Sequence, residues 1–367
     1  MKRLVLIGIA LAAFLPAAAP AAGCSPLSCA SSGTPIGDGL LAVRPTGIGG
    51  SVKVVDVRAG TIKWTLPAGV FAGHVLVSKA HGTITWYDLR TGLKTQTADV
   101  AAGTWLVGVS QDGSRAVVQD FDKKTNITTF LVVTPDATKT IRLQRASWAF
   151  DALSGSNLYL LRYVKGGYQG GYQVRRYDVA AGKLFAKPLK DPHESSTIRG
   201  IPWARVSSPD GHWLFTLYLG SNGDSMVHEL DLKHATARCV DLPGTGNFNL
   251  ATSYAIELSH DGSTLWAVSP GYGRVAAIDV RSARVRVAWR FAHAEYAEAP
   301  AASISALSPD GSQLAVSVGS RLWFVQTATH AVVEAKPRNP LAIGYAPDGS
   351  KLWAVLNGGL VIALPVV

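Results

Sequence analysis

The stretch SALSPDGSQLAVSVGSRLWFV, residues 305–325, places a Ser-Pro-Asp-Gly turn at 308–311 between two short apolar runs. A second turn follows at Gly319-Ser320. Each residue type in the first turn has a physical task. Pro309 pre-sets φ for turn initiation, Asp310 caps its own turn through the side chain, and Gly311 tolerates positive φ. Such a turn between apolar runs marks a hairpin.

The turn recurs along the chain. Gln111-Asp112-Gly113, Pro209-Asp210-Gly211, His260-Asp261-Gly262 and Pro347-Asp348-Gly349 precede the runs RAVV, WLFTLYL, TLWAV and KLWAV. Asp38-Gly39 before LLAV is a further member, and Gly73-His74 before VLVSK is a degenerate one. Ser154-Gly155-Ser156-Asn157 before LYLLRY fills the long gap between Asp112 and Asp210. A second pattern, Asp-x-x-x-Gly, follows downstream at Asp56 to Gly60, Asp88 to Gly92 and Asp178 to Gly182. The runs before it, such as VKVVDV and TITWYDL, alternate or stay apolar as half-buried strands do. One unit therefore reads strand, Asp-Gly turn, strand, variable loop, strand, Asp-x-x-x-Gly turn, strand. That is a four-stranded meander of about 40–50 residues, the length of a propeller blade. Meanders stacked around an axis leave only short, protected edges.

The expected fold class is all-β: a β-propeller of four-stranded blades. Central hairpins begin near Leu40, Val75, Arg115, Leu158, Trp213, Thr264, Gln313 and Lys351, which gives eight blades. Seven is the alternative if the weak unit around 70–100 is not a full blade. The first unit lacks an obvious innermost strand and the last stops after its third, so the termini are expected to close the ring together. LSPDGSQLAVS and APDGSKLWAVL resemble repeats of bacterial TolB-like and YVTN-type propellers, relatives in shape of WD-repeat proteins. The resemblance covers nearly all of 38–367 and implies an extracytoplasmic propeller. It carries over no catalytic set, because many functions share the scaffold.

The N-terminus gives an address. Lys2 and Arg3, an apolar stretch from Leu4 to Leu15, and the small exit Ala21-Ala22-Gly23 follow the plan of a secretory signal peptide. The apolar stretch stops at Pro16, short of the roughly 20 residues that span a bilayer. Ala-Ala-Gly-Cys resembles a bacterial lipobox, which implies acylation at Cys24; Ala21 stands where a branched apolar residue is usual. Ordinary signal peptidase cleavage fits as well, giving a soluble periplasmic or secreted protein. The expected organisation is a signal peptide at 1–23, a tether at 24–37 and the propeller at 38–367. With Cys24 acylated, Cys29 and Cys239 remain to pair in an oxidising compartment; otherwise Cys24 and Cys29 pair and Cys239 is left over.

Charge excludes one class. The whole chain carries +10, and loss of Lys2 and Arg3 leaves +8. The basic residues are scattered with no basic block or aromatic-interleaved stripe, which argues against nucleic acid and leaves mild attraction to an anionic envelope or acidic glycan.

Chemistry is harder to find. Gly-x-Ser-x-Gly, His-Glu-x-x-His, Cys-x-x-Cys and phosphate-cradling motifs are absent, so the sequence makes no enzyme assignment. The polar inter-unit loop KDPHESSTIRGIPWAR, 190–205, holds His193, Glu194, Arg199, Trp203 and Arg205. FAHAEYAEAPA, 291–301, holds His293, Glu295 and Tyr296. Loops between blades gather at the ends of the central channel, so these groups are expected to converge on one face. His193, Glu194, His293 and Glu295 suit a divalent metal or acid–base work, though both loops read equally as solvated connectors. VKGGYQGGYQV, 164–174, puts Tyr168 and Tyr172 on a glycine-rich hairpin tip, where they stack on a sugar or partner, or where the glycines merely permit a long hairpin. VVDVRAGTIKW, 54–64, faintly resembles a quinoprotein docking repeat but is read as an ordinary blade turn.

The leading functional expectation is a non-catalytic binding or scaffold propeller outside the cytoplasmic membrane, a monomer with an envelope protein or glycan as partner. The second is a metal-assisted hydrolase or lyase of lactonase-like kind with its site on the channel face. No cofactor is required by the sequence.

Overall fold

A computed structural model of the chain describes residues 34–37, 39–43, 50–144, 146–164, 171–291, 303–335, 339–356 and 360–366. These residues form eight antiparallel sheets, each a meander in which consecutive strands pair with their neighbours. The blades occupy 34–66, 70–99, 105–143, 148–184, 201–241, 255–290, 304–335 and 342–365. The fold is an eight-bladed β-propeller. The unit at 70–99 is a full four-stranded blade, which removes the seven-blade alternative.

One expectation about the ends changes, and the three-stranded last blade stands as expected. Thr34–Gly37 is a strand paired with Leu40–Val43, so the first blade has its own innermost strand and the propeller starts before residue 38. The last blade has three strands, Ala342–Tyr345, Lys351–Val355 and Val361–Pro365, among the described residues. Among the described residues the two ends close the ring by packing of blade 1 against blade 8, each in its own sheet. Leu41, Val43, Val55 and Val57 of blade 1 meet Ala342 and Val355 of blade 8, with Trp353 beside them.

The Asp-Gly turns follow a common hydrogen-bond plan. In the opening stretch, Ser308 Oγ donates to Asp310 Oδ1 (2.6 Å), and that oxygen also accepts from the Ser312 N–H (3.0 Å). Ser308 Oγ in turn accepts from the Gln313 N–H at 2.9 Å. Gly311 sits at φ +72°, which the motif requires. Ser110 with Asp112, Ser208 with Asp210 and Ser259 with Asp261 repeat the arrangement. The serine two positions before the aspartate is thus part of the motif, a role the Pro-Asp-Gly reading leaves out.

Two of the Asp-x-x-x-Gly turns, at Gly60 and Gly92, act between blades. A Cβ on Gly92 would lie 3.0 Å from the Trp64 ring of the preceding blade, and one on Gly60 equally close to Trp353. Flat indole faces rest on the bare turns, and Trp64 Nε1 donates to Leu89 O at 3.0 Å. Trp64 and Trp353 are therefore packing material between blades. One short helix, Phe248–Ala251, interrupts the strands between blades 5 and 6; Asn247 caps it, its side chain accepting from the Asn249 and Leu250 N–H groups.

Candidate functional site

The first strand of every blade faces the axis, and together they line a central channel that opens among the Asp-Gly turns. Its cavity measures about 1320 Å³ and touches all eight blades. The mouth carries Asp112, Asp210, His212 and His260, together with Arg58. His212 Nδ1 lies 3.1 Å from Asp210 Oδ2. The Ser208 hydroxyl and then the His212 N–H hold the Asp210 carboxyl below the usual range. These carboxylates stay ionised and are committed to their own turns.

The channel wall holds two stronger features. Ile201–Ser207, the inner strand of blade 5, carries Arg205, whose Nη1 donates to Asp151 O at 2.9 Å and whose Nη2 donates to Asp151 Oδ1 at 2.5 Å. Asp151 sits where the inner strand of blade 4 shifts register between Phe150 and Ala152, so it has no cross-strand partner. A bulge of this kind turns a side chain out of the alternation, here towards the neighbouring blade. The carboxylate is almost fully buried and the guanidinium nearly so, which makes the pair a fixed dipole rather than a solvated surface contact.

The second feature is Glu257 on the inner strand of blade 6, Ala255–Leu258. Its Oε1 accepts from Ser305 Oγ of blade 7 at 2.7 Å. The residue keeps part of its surface open to the channel, yet burial strips its carboxyl of bulk water and pushes it up to about 7, against the pull of the Ser305 hydroxyl. A carboxyl that changes charge near neutrality, beside a hydroxyl, can donate or accept a proton or a hydrogen bond. On the adjoining seam Tyr345 Oη donates to Gln313 Oε1 at 2.7 Å.

The residues singled out from the sequence fall in different places. Arg205 is in the channel. His193, Glu194 and Arg199 are exposed, and the first two lie at the outer rim rather than at the axis. Their loop runs along the edge of blade 4, where Leu189 bridges Val174 and Ile198 bridges Tyr172. Asp191 ties it to blade 5 by accepting from the Cys239 N–H (3.0 Å) and holds its own turn by accepting from the His193 N–H (2.8 Å). The outer strand of blade 4 is only Lys183–Leu184, so the loop is needed to cover that edge.

Trp203 is a correction: it is 2% exposed in a bulge of its strand, and its Nε1 donates to Thr252 O at 2.9 Å. Tyr172 is another. It is 1% exposed in the strand Tyr172–Asp178, packed against Tyr163 and Tyr218 across the blade 4–5 interface, so it presents nothing to a partner. Tyr168, His293, Glu295, Tyr296, Cys24 and Cys29 lie outside the described residues. Cys239 is half-buried in blade 5, and burial pushes its thiol up to about 12. No group of three or more His, Cys, Asp and Glu residues with metal-holding geometry occurs among the described residues. Nor is any helix among them long and apolar enough to cross a membrane.

Asp151, Glu257 and Ser305 were missed. A signal existed: an acidic residue inside an apolar run just ahead of a turn, as in FDALSG and IELSHDG, occupies a strand that must face the axis.

Comparison with solved structures agrees on the fold. The β-propeller domain of Cps50 (Swd1) from Myceliophteria thermophila superposes with a TM-score of 0.51 at 12% identity, over 90% of this chain and 93% of that one. Hydrazine synthase from Kuenenia stuttgartiensis gives 0.46 at 13% identity, over 81% of this chain and 94% of the other. A chain of the mitotic checkpoint complex gives 0.45 at 13%, over 81% and 86%. At such identities the likeness concerns architecture alone. No protein-family model matches the chain, and no curated protein sequence matches it.

Proposed function

We propose that the chain is an exported β-propeller acting as a non-catalytic binding or scaffold module for an envelope protein or glycan. The observation that carries the reading is the channel: an open cavity walled by eight rigid inner strands, with a fixed ion pair and a hydrogen-bonding carboxyl on its face. A rigid wall loses little conformational entropy when a ligand binds, so its polar contacts convert efficiently into affinity. The address rests on the N-terminal sequence, with acylation at Cys24 as the anchored form and a monomer as the working unit. Kinship with the TolB-like and YVTN-type propellers belongs to the same proposal.

The test is thermal unfolding of residues 24–367 against a panel of envelope glycan fragments and peptides. A ligand at 100 times its Kd adds about 2.7 kcal/mol to the folded state. The reading expects at least one such shift, lost in Glu257→Gln. A shift that survives this change and Asp210→Ala places binding away from the channel, and a flat panel rejects a ligand-binding channel.

One observation favours a second reading, the hydrolase or lyase. Glu257 titrates near neutrality in the channel, as a general acid or base must. A divalent-ion dependence of stability, together with activity that tracks a single ionisation abolished by Glu257→Gln, would transfer the assignment to that class.

A further inference from the structure

Register pairing places Arg205 opposite Thr216, Thr216 opposite His228, and His228 opposite Cys239. Directly paired residues share a face of the sheet, so four polar side chains form a row across blade 5, from the channel to the outer rim. The corresponding row of blade 6 is Ile256, Ala267, Ala276 and Ala288, and that of blade 8 is Ile343, Ala354 and Ile362. Blade 5 is thus polar where these blades are apolar. The row faces blade 4, which adds Asp151 at the channel end and Tyr172 further along.

Several of these groups are sealed in without a partner. Tyr172 Oη, Tyr218 Oη, His228 Nε2 and Arg205 Nε are buried and make no hydrogen bond to protein. They are contiguous: the Tyr172 and Tyr218 rings are 5.4 Å apart, and those of Tyr218 and His228 6.2 Å. Asp151, Arg205 and Asp191 all lie close enough to His228 to act on its charge. Elsewhere such buried atoms are mostly indole nitrogens, or belong to the Arg238–Glu229 ion pair. Left dry, four unpaired polar atoms in one interface would cost a large part of a domain's marginal stability. Buried polar groups of this kind are met by ordered water, each molecule needing two to four partners.

We propose that the blade 4–5 interface is a hydrated side branch of the central channel, a binding site for a row of ordered water molecules reaching from Arg205 towards the rim. The branch ends under the loop that carries Asp191, His193 and Glu194, where Asp191 is held by the Cys239 N–H. It extends polar character from the channel into the wall of the ring rather than along its axis. The inference stands whether or not a ligand occupies the channel.

The test uses the sign of a stability change. Tyr218→Phe and Tyr172→Phe remove only the hydroxyls and keep the rings. If the hydroxyls bond to water, each variant loses a hydrogen bond and melts roughly 2 °C or more below the parent. If the interface is dry, each variant sheds an unpaired polar atom and melts at the same or a higher temperature, which overturns the proposal. Tyr159→Phe calibrates the scale, since Tyr159 Oη donates to Leu232 O at 2.7 Å. A high-resolution crystal structure of the exported chain gives the direct reading. Waters within hydrogen-bond distance of His228 Nε2, Tyr218 Oη and Tyr172 Oη are expected, and an empty interface there refutes the branch.

Discussion

Replacing Trp353 with alanine tests how the ring is closed. Every other pair of neighbouring blades is joined by a connecting segment, but blades 8 and 1 are joined by packing alone. Among the described residues their shared cluster has six buried members, against sixteen between blades 5 and 6. Trp353 is the largest side chain at this seam, and its ring lies on Gly60 of blade 1. Truncating a buried tryptophan costs about 3–5 kcal/mol, and the partial exposure of Trp353 puts it at the low end, about 3 kcal/mol. The loss should appear first as local opening of the seam. Native-state hydrogen exchange should therefore speed up about 100-fold at the amides of Leu41, Val43, Val55 and Val355, while the strands of blades 5 and 6 keep most of their protection. Trp213→Ala, at a half-buried site stacked on Phe215, is the control; it should lower stability without exposing the closing seam. Equal loss of protection around the whole ring in Trp353→Ala would refute the idea of a weak closure.

Three further outcomes follow from named geometry. Gly311→Ala meets nothing within 4 Å at φ +72°, so backbone strain alone should cost about 1–2 kcal/mol; Gly113→Ala at the same turn position would put its Cβ 2.8 Å from Val75 and should cost clearly more in urea unfolding. Arg205→Met leaves the Asp151 carboxylate buried and unpaired, costing about 3–5 kcal/mol, and adding Asp151→Leu should recover much of that loss. Glu257 has a folded pKa of about 7, above its ordinary value, so its contribution is fully present at low pH and is lost as pH rises from about 4.5 through 7, by about 3 kcal/mol in all. Burial of Glu229 acts in the same direction, opposed by Arg238, so Glu257→Gln should flatten the fall towards neutral pH only in part; an unchanged pH profile would show the carboxyl to be water-accessible in the folded state.

The architecture was legible because its determinants are local. Ser-Pro-Asp-Gly satisfies its hydrogen bonds within a few residues, as Ser308, Asp310 and Ser312 show, so the motif carries its own geometry wherever it occurs. Six Asp-Gly turns and two degenerate ones, at similar intervals, then give the number of blades. Thr34–Gly37 escaped notice because TPIG has neither length nor alternation, and its pairing with Leu40–Val43 supplies what the segment itself lacks. Site residues were legible only in part, for the opposite reason. Their surroundings depend on strand order and bulges, which no short window records. Tyr172 follows a glycine-rich tip in sequence but belongs to a strand paired in register with Asn157–Tyr163. His193 sits between two blades in sequence, yet its loop serves as the missing edge of blade 4 and stays at the rim.

Why charged groups meet between blades 4 and 5 has a physical answer in the bulges of their inner strands. An innermost strand alternates between its two neighbouring blades, and an extra residue breaks that alternation for one side chain. At Asp151 the break releases a carboxylate from the blade 3–4 interface and delivers it to Arg205 of the next blade. At Trp203 the break sends the indole into the large blade 5–6 cluster, while Arg205 stays on the blade 4 side. The same irregularities that spoil the repeat therefore assemble the ion pair across two blades, each of which alone would expose an unpaired charge. A propeller without these two breaks would lack the Arg205–Asp151 pair between blades 4 and 5. This one has a charged notch opening onto the channel, and any ligand entering from the Asp-Gly end meets the Arg205–Asp151 pair and Glu257 on the wall.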